Sequence, residues 1–273
     1  MIASLCGYGR WCWRLAATGF CFALFALGAL SLGLLLAPLI YLLPWPLVRR
    51  RQLARRSIQR WVRFYLWVMR KLGLLTISFA GEQALQQPGV LVVANHPTLL
   101  DALLLMAVMP NATFIVKAAM ARNPFTRWIV ALAGYIPNDE VGVELVEKAA
   151  AALRAGETLM IFPEGTRTPG DLLSLKRGAA NIALAAGCPL LPVVISCQPL
   201  TLRKGEPWYR IPTQRPHFRV QVLPLMALEP LIDRSLPPGL QARALTAALT
   251  SALSHQLQTQ LQSPQQAQLQ ARS

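Results

Sequence analysis

Two short segments carry side chains that could move a proton and hold an anion. In the first, Asn95-His96-Pro97-Thr98-Leu99-Leu100-Asp101, four residues separate a histidine from an aspartate, directly after the apolar run Val90-Leu91-Val92-Val93-Ala94. The chain has three histidines, His96, His217 and His255, and His96 is the one delivered by a strand-like run with a carboxylate close behind it. An imidazole titrates near neutrality, so it can take a proton from a hydroxyl and return it. A neighbouring carboxylate fixes its tautomer and stabilises the imidazolium that forms. The same spacing also fits a plainer role, with Asp101 favouring a helix N-terminus and His96 acting as a cap.

The second segment, Phe162-Pro163-Glu164-Gly165-Thr166-Arg167-Thr168, again follows an apolar run, Leu159-Met160-Ile161. Pro163 and Gly165 punctuate a tight loop. Glu164 and Arg167 supply one charge of each sign, and an arginine is suited to bidentate contact with phosphate oxygens. A capped turn with a surface ion pair is the plainer alternative.

These residues need elements to position them. From residue 75 onward, apolar runs of strand length alternate with stretches of helical periodicity. The pattern predicts strands at Leu75–Ala80, Val90–Ala94, Thr113–Val116, Thr158–Phe162, Leu191–Ser196 and Phe218–Val222. It predicts helices at Leu99–Val108, Pro124–Leu132, Val143–Arg154 and Lys176–Ala186, and another over 240–262. Such alternation implies an α/β sheet with helices packed on it. Pro97 suits the first turn of a helix, which would put His96 and Asp101 at a strand-to-helix turn, the end of an α/β sheet where ligands bind. The Gln-rich tail 263–273 reads as disordered.

The first part of the chain is different. Residues 15–43 contain no charge, and about 20 apolar residues suffice to cross a bilayer core. Pro38 would bend or end the helix. A cleaved signal peptide fits poorly, because its apolar core is about 7–15 residues long. The composition agrees with a membrane protein, at 54% hydrophobic and 14% charged. The net charge of +15 is concentrated at the N-terminus: residues 1–81 hold eleven Lys and Arg and no acid, and the rest holds sixteen against twelve acids. That placement favours anionic headgroups over nucleic acid. The arginines after the span, from Arg49 to Arg63, put the main domain on the cytoplasmic side of a cell (inner) membrane, whether the segment spans the bilayer or dips into it. Residues 52–72 read as an interfacial helix, with Leu53, Trp61, Phe64, Tyr65, Val68 and Leu72 apolar and Arg56, Arg60, Arg63 and Arg70 basic; packing on the main domain is compatible with this. The five cysteines lack metal-ligand spacing and read as small apolar residues. No metal is expected.

Taken together, NHPTLLD at 95–101 and FPEGTRT at 162–168 resemble the glycerolipid acyltransferase family, whose best-known members are the 1-acylglycerol-3-phosphate acyltransferases. The resemblance covers roughly residues 75–200. LKRGAA at 175–180, CPLLPVVI at 188–195 and Lys117 in FIVKAAM are similar to further family segments. It implies an α/β fold, a mixed, mostly parallel sheet with flanking helices, in an acyltransferase domain at 75–262; outside the resemblance lie the N-terminal membrane helix (1–48) and the amphipathic interfacial helix (49–74), read from hydropathy and charge. It also implies that His96 is the general base and Asp101 its orienting partner. The acyl donor would be acyl-CoA or acyl carrier protein, with no other cofactor. Asn95, Thr98, Lys117, Phe162, Pro163, Glu164, Gly165, Thr166, Arg167, Lys176 and Arg177 would contact substrate, Arg167 through the acceptor's phosphate. The chain departs from the family at Gly134–Glu140, where an arginine common in the family's second motif is missing; Arg122 or Arg127 could compensate. Acceptors therefore include a lysophospholipid or a less phosphorylated hydroxyl, such as an acylated amino acid or a specialised lipid or polyene product. A non-catalytic, membrane-tethered lipid-binding protein is the reading outside enzymes. A serine hydrolase is disfavoured, because no Gly-x-Ser-x-Gly elbow is present. Membrane lipids and the acyl donor are the expected partners, with no nucleic acid; the oligomeric state is not legible.

Overall fold

A computed structural model describes residues 2–138, 142–167 and 173–270. Seven strands form one sheet: β1 (Thr76–Ala80), β2 (Leu91–Ala94), β3 (Thr113–Val116), β4 (Ile136–Pro137), β5 (Leu159–Ile161), β6 (Leu190–Gln198) and β7 (His217–Val222). Their order is β1-β7-β6-β2-β5-β3-β4, and every pairing is parallel except β6 with β7. The mixed, mostly parallel sheet expected from the sequence is therefore present. β2 is flanked by β5 and β6 and covered on both faces, which is why it reads as an unbroken apolar run. All six expected strands occur. The seventh, β4, spans two residues and ends in a proline, too short to leave a period in the sequence.

The side chains of β2 alternate between two cores. Val92 and Ala94 face one layer, built with Leu104 of α4 (Asp101–Val108) and Ile129 of α6 (Arg127–Ala133). Leu91 and Val93 face the other, built with Ala149 of α7 (Val143–Arg154), Ile182 of α8 (Gly178–Ala186) and Leu249 of α9 (Pro238–Gln270). The short helix α5 (Ala118–Arg122) follows β3. α9 runs eight residues past the expected end at 262. Glutamine is a fair helix former, so low complexity did not mean disorder up to Gln270; residues 271–273 lie outside the described residues.

The N-terminal segment is one long apolar helix. α1 (Ile2–Leu30) passes through a π-helical stretch, Ser31–Leu36, into α2 (Ala37–Tyr41). Residues Tyr8–Tyr41 are long and apolar enough to cross a membrane. Pro38 neither ends nor breaks this helix. It lacks the N–H that would bond to Leu34, and the looser π turn just before it absorbs the mismatch. The chain then reverses, and α3 (Leu47–Lys71) runs back alongside. Trp13 Nε1 donates to the Leu72 carbonyl at 3.2 Å, and Arg50 Nη1 donates to that of Tyr41 at 2.8 Å. Gly28 lies under the Trp61 indole, where a Cβ would come within 1.8 Å of the ring.

From the sequence, α3 was expected at the membrane interface, packed on the main domain, or both. It packs on the protein through Ala54, Ile58, Val62, Tyr65, Leu66 and Met69, while Phe64 and Trp67 remain exposed. The buried stripe is thus rotated from the one read off the sequence, because α4, α6, α1 and α2 all share the helix. Arg55, read as part of the basic flank, is buried. Its guanidinium donates to Glu157 Oε2 (2.9 Å) and to the carbonyls of Ala133 (2.7 Å) and Asn111 (3.2 Å).

Candidate active site

β2, β3, β5 and β6 all end on the same side of the sheet, and the two motif segments leave from β2 and β5. The exit from β2 is shaped by Asn95. Its Oδ1 accepts the Ile195 N–H (2.7 Å), and its Nδ2 donates to the Ile195 carbonyl (2.8 Å). A side chain thereby continues the β2–β6 ladder for one more rung, and the main chain is free to turn away. The His96 N–H that would otherwise seek a strand partner donates to Glu164 Oε1 at 2.9 Å, which ties the first motif to the second.

Residues 97–100 form a tight bend, and α4 starts at Asp101, two residues later than expected. Pro97 therefore sits in the bend rather than in the first helical turn. The bend folds Asp101 back onto His96, with His96 Nδ1 and Asp101 Oδ2 2.9 Å apart. The same Oδ2 accepts the Thr98 N–H (2.6 Å), and Oδ1 accepts the Thr98 hydroxyl (2.7 Å). An ionised carboxylate only accepts, so Nδ1 carries the proton and Nε2 keeps its lone pair. Phe162 fixes the plane of the imidazole, its ring stacked 4.2 Å away at 19°. Asp101 is fully buried, and His96 retains part of its surface. Burial pushes the Asp101 carboxyl above the usual carboxylate range, opposed by the bonds from His96 and Thr98.

The remaining site residues divide by what they touch. Asn95 and Thr98, expected to meet substrate, are buried and give their polar groups to Ile195 and Asp101, so they position the pair. Glu164 is buried as well. Gly165 holds φ at +72°, a value glycine adopts freely, and a Cβ there would meet Lys176 Nζ at 3.0 Å. The Lys176 N–H donates to the Pro163 carbonyl (3.0 Å), so the 175–180 segment lies beside the FPEGTRT turn. Thr166 belongs to the same turn, and Thr168 lies outside the described residues. Lys176 and Arg177 are exposed just ahead of α8, as is Lys117 ahead of α5. Arg167 Nη1 donates to the carbonyls of Leu202 (3.0 Å) and Arg203 (3.3 Å).

That last contact was not legible in the sequence. Leu202 lies in the loop after β6, at φ +52°, and its carbonyl also accepts the Leu99 N–H at 3.2 Å. A leucine in a left-handed conformation is uncommon, and no residue type announced it. Arg122 and Arg127 are exposed on α5 and α6, and Arg127 lies over the Trp128 ring at 4.8 Å. Part of the Gly134–Glu140 stretch, from Asp139 on, lies outside the described residues. Among the described residues no group of three or more His, Cys, Asp and Glu is placed to hold a metal ion.

An α/β sheet that presents a solvent-reaching histidine backed by a buried carboxylate at its strand ends defines a class of site, one with an imidazole nitrogen open to accept a proton. Comparison with known proteins adds relatives that share this segment. Residues 76–196 match the family model described as Acyltransferase. The chain is 27% identical over 154 residues to the 1-acyl-sn-glycerol-3-phosphate acyltransferase of Pseudomonas aeruginosa, covering 54% of this chain and 60% of that protein. It is 35% identical over 182 residues to the lyso-ornithine lipid O-acyltransferase of the same organism, covering 62% and 65%. The crystal structure of the 1-acyl-sn-glycerophosphate acyltransferase PlsC of Thermotoga maritima shares the fold, with a TM-score of 0.67 at 19% identity over 90% of this chain and 96% of that one. These matches support a glycerolipid acyltransferase family for the segment 76–196. The chain spans about three fifths of the length of the two curated relatives named here.

Proposed function

We propose that this chain is a membrane-bound O-acyltransferase that moves a fatty acyl group from acyl-CoA or acyl carrier protein to the hydroxyl of a lysophospholipid. His96 Nε2 takes the acceptor's proton as its oxygen attacks the thioester carbonyl. The tetrahedral oxyanion collapses, the carbon–sulfur bond breaks, and the thiolate leaves with the proton held on the imidazolium. Asp101 supports that imidazolium. No covalent acyl-enzyme is required. The observation carrying this reading is the bond between His96 Nδ1 and a carboxylate that is buried and held by Thr98 on both oxygens. Lys117, Lys176 and Arg177 supply positive potential for the anionic donor or acceptor. The apolar helix Tyr8–Tyr41 and the basic segment after it favour the cytoplasmic face of the cell membrane, where a lipid alcohol and a soluble thioester meet.

A second reading keeps the chemistry and changes the acceptor to an acylated amino acid. Two observations favour it: the higher identity to the lyso-ornithine lipid enzyme, and the engagement of Arg167 by backbone carbonyls where a phosphate contact was expected. The test offers the purified full chain several acceptors with each donor and reads the products by mass spectrometry. His96→Ala should yield none. Full turnover by that variant, with its fold intact, overturns the proposal. Turnover of phosphate-bearing acceptors alone overturns the second reading.

A further inference from the structure

A cavity of about 420 Å³ opens at the other end of the sheet, where β2, β3 and β5 begin beneath the first turns of α3. The length of β2 separates it from His96. Its polar lining includes the charged Arg51, Arg55 and Glu157 and the neutral Gln52, Gln86 and Asn111. The charges there do not cancel. Arg55 is matched by Glu157, while Arg51 makes no ion pair among the described residues. The buried Nε of Arg51 has no hydrogen-bond partner among the described residues. A cation near the C-terminus of α6 is favourable in itself. Arg55, however, already donates to the Ala133 carbonyl there, and Arg51 adds no bond. The arginine packs against Gly134, where a Cβ would meet its Nε at 3.1 Å.

The mouth of the cavity indicates what would bring the missing anion. Val48 lines it, and the chain on either side of Val48 is the tip of the helical hairpin, with Leu42, Trp45 and Leu47 exposed beside Arg49. A ligand that puts an anion on Arg51 and apolar chains along this tip is an amphiphile. We propose that the cavity binds the phosphate group of an anionic membrane lipid, at a site distinct from the His96–Asp101 pair and independent of the acyl-transfer reading.

The test titrates the full chain in detergent micelles with phosphatidylglycerol, with phosphatidylcholine as the neutral control, and reads bound lipid by native mass spectrometry. The native chain should retain phosphatidylglycerol preferentially. Losing a charge-assisted bond in a partly buried site should weaken that binding about thirtyfold in Arg51→Gln. Losing a diffuse surface charge should cost about fivefold at most in Arg49→Gln. Asn111→Asp, which sets a carboxylate in the lining and leaves Arg51 in place, should match Arg51→Gln and carries the test should that variant fail to fold. Turnover in detergent should be unchanged in all three variants. Equal losses in Arg51→Gln and Arg49→Gln, or no preference in the native chain, overturn the site. Complete displacement of the lipid by millimolar inorganic phosphate overturns the lipid as the phosphate's source.

Discussion

Replacing Asp101 with asparagine removes a charge and leaves the surrounding bonds a way to survive. Asp101 accepts from His96 Nδ1 and Thr98 N on one oxygen and from the Thr98 hydroxyl on the other. In Asp101→Asn the new amide oxygen could take the first position, keeping His96 and the Thr98 N–H. Its NH2 would then face the Thr98 hydroxyl, which can rotate to accept. The proton would stay on Nδ1, and only the carboxylate charge would be gone. Its effect on an imidazolium about 4 Å away, at an effective dielectric of about 20, is about 4 kcal/mol, or roughly 10³-fold in rate. The assay is kcat from thiol release, with the fold checked by thermal melting. A loss of less than tenfold in Asp101→Asn, beside a dead His96→Ala, would refute the charge argument and leave Asp101 only an orienting role. Stability should move the other way. A carboxyl whose folded pKa is raised contributes most below the unfolded value of about 3.9 and loses that contribution as pH rises through the folded value. Asparagine does not titrate, so the melting temperature of Asp101→Asn relative to the native chain should rise between acidic and neutral pH.

Three further perturbations test the supports. Thr98→Val leaves Asp101 Oδ1 buried without its donor, and should cost about 1–3 kcal/mol in chemical denaturation together with a loss of kcat smaller than that of Asp101→Asn. Glu157→Gln leaves the Arg55 guanidinium buried without its counter-charge; about 3 kcal/mol should be lost in urea unfolding, with turnover of the folded fraction retained. Gly28→Ala drives a methyl into the Trp61 indole and should lower the melting temperature by several degrees, whereas Gly9→Ala, with nothing within 4 Å and helix propensity gained, should not lower it.

What could be read ahead of the structure followed from local pattern. The His96–Asp101 pair closes within six residues, so spacing alone could suggest it. The strands β2 and β5 announced themselves because both their faces are buried. The contacts that escaped are those made across the chain by residues of unremarkable type. Arg55 meets Glu157 from 102 positions away, and nothing in a row of arginines distinguishes the one that turns inward. Asn95 reaches Ile195 across 100 positions, so an asparagine beside the histidine looked like a substrate contact and is a strand extension. Arg167 was matched to a phosphate by its chemistry, and the carbonyls that hold it come from a loop with no periodicity.

The long N-terminal helix is more than a tether. Ala17, Cys21, Ala37 and Ile40 belong to the same apolar cluster as Val92 and Leu104, and Arg14 donates to the carbonyls of Pro212, Thr213 and Gln214 in the loop between β6 and β7. This apolar segment is also a wall of the domain that carries His96 and Asp101. Clipping it away to obtain a water-soluble enzyme would strip the cover from α3 and from a loop at the reactive end of the sheet. A chain without this segment would therefore lose part of its core along with the helix that is long and apolar enough to cross a membrane.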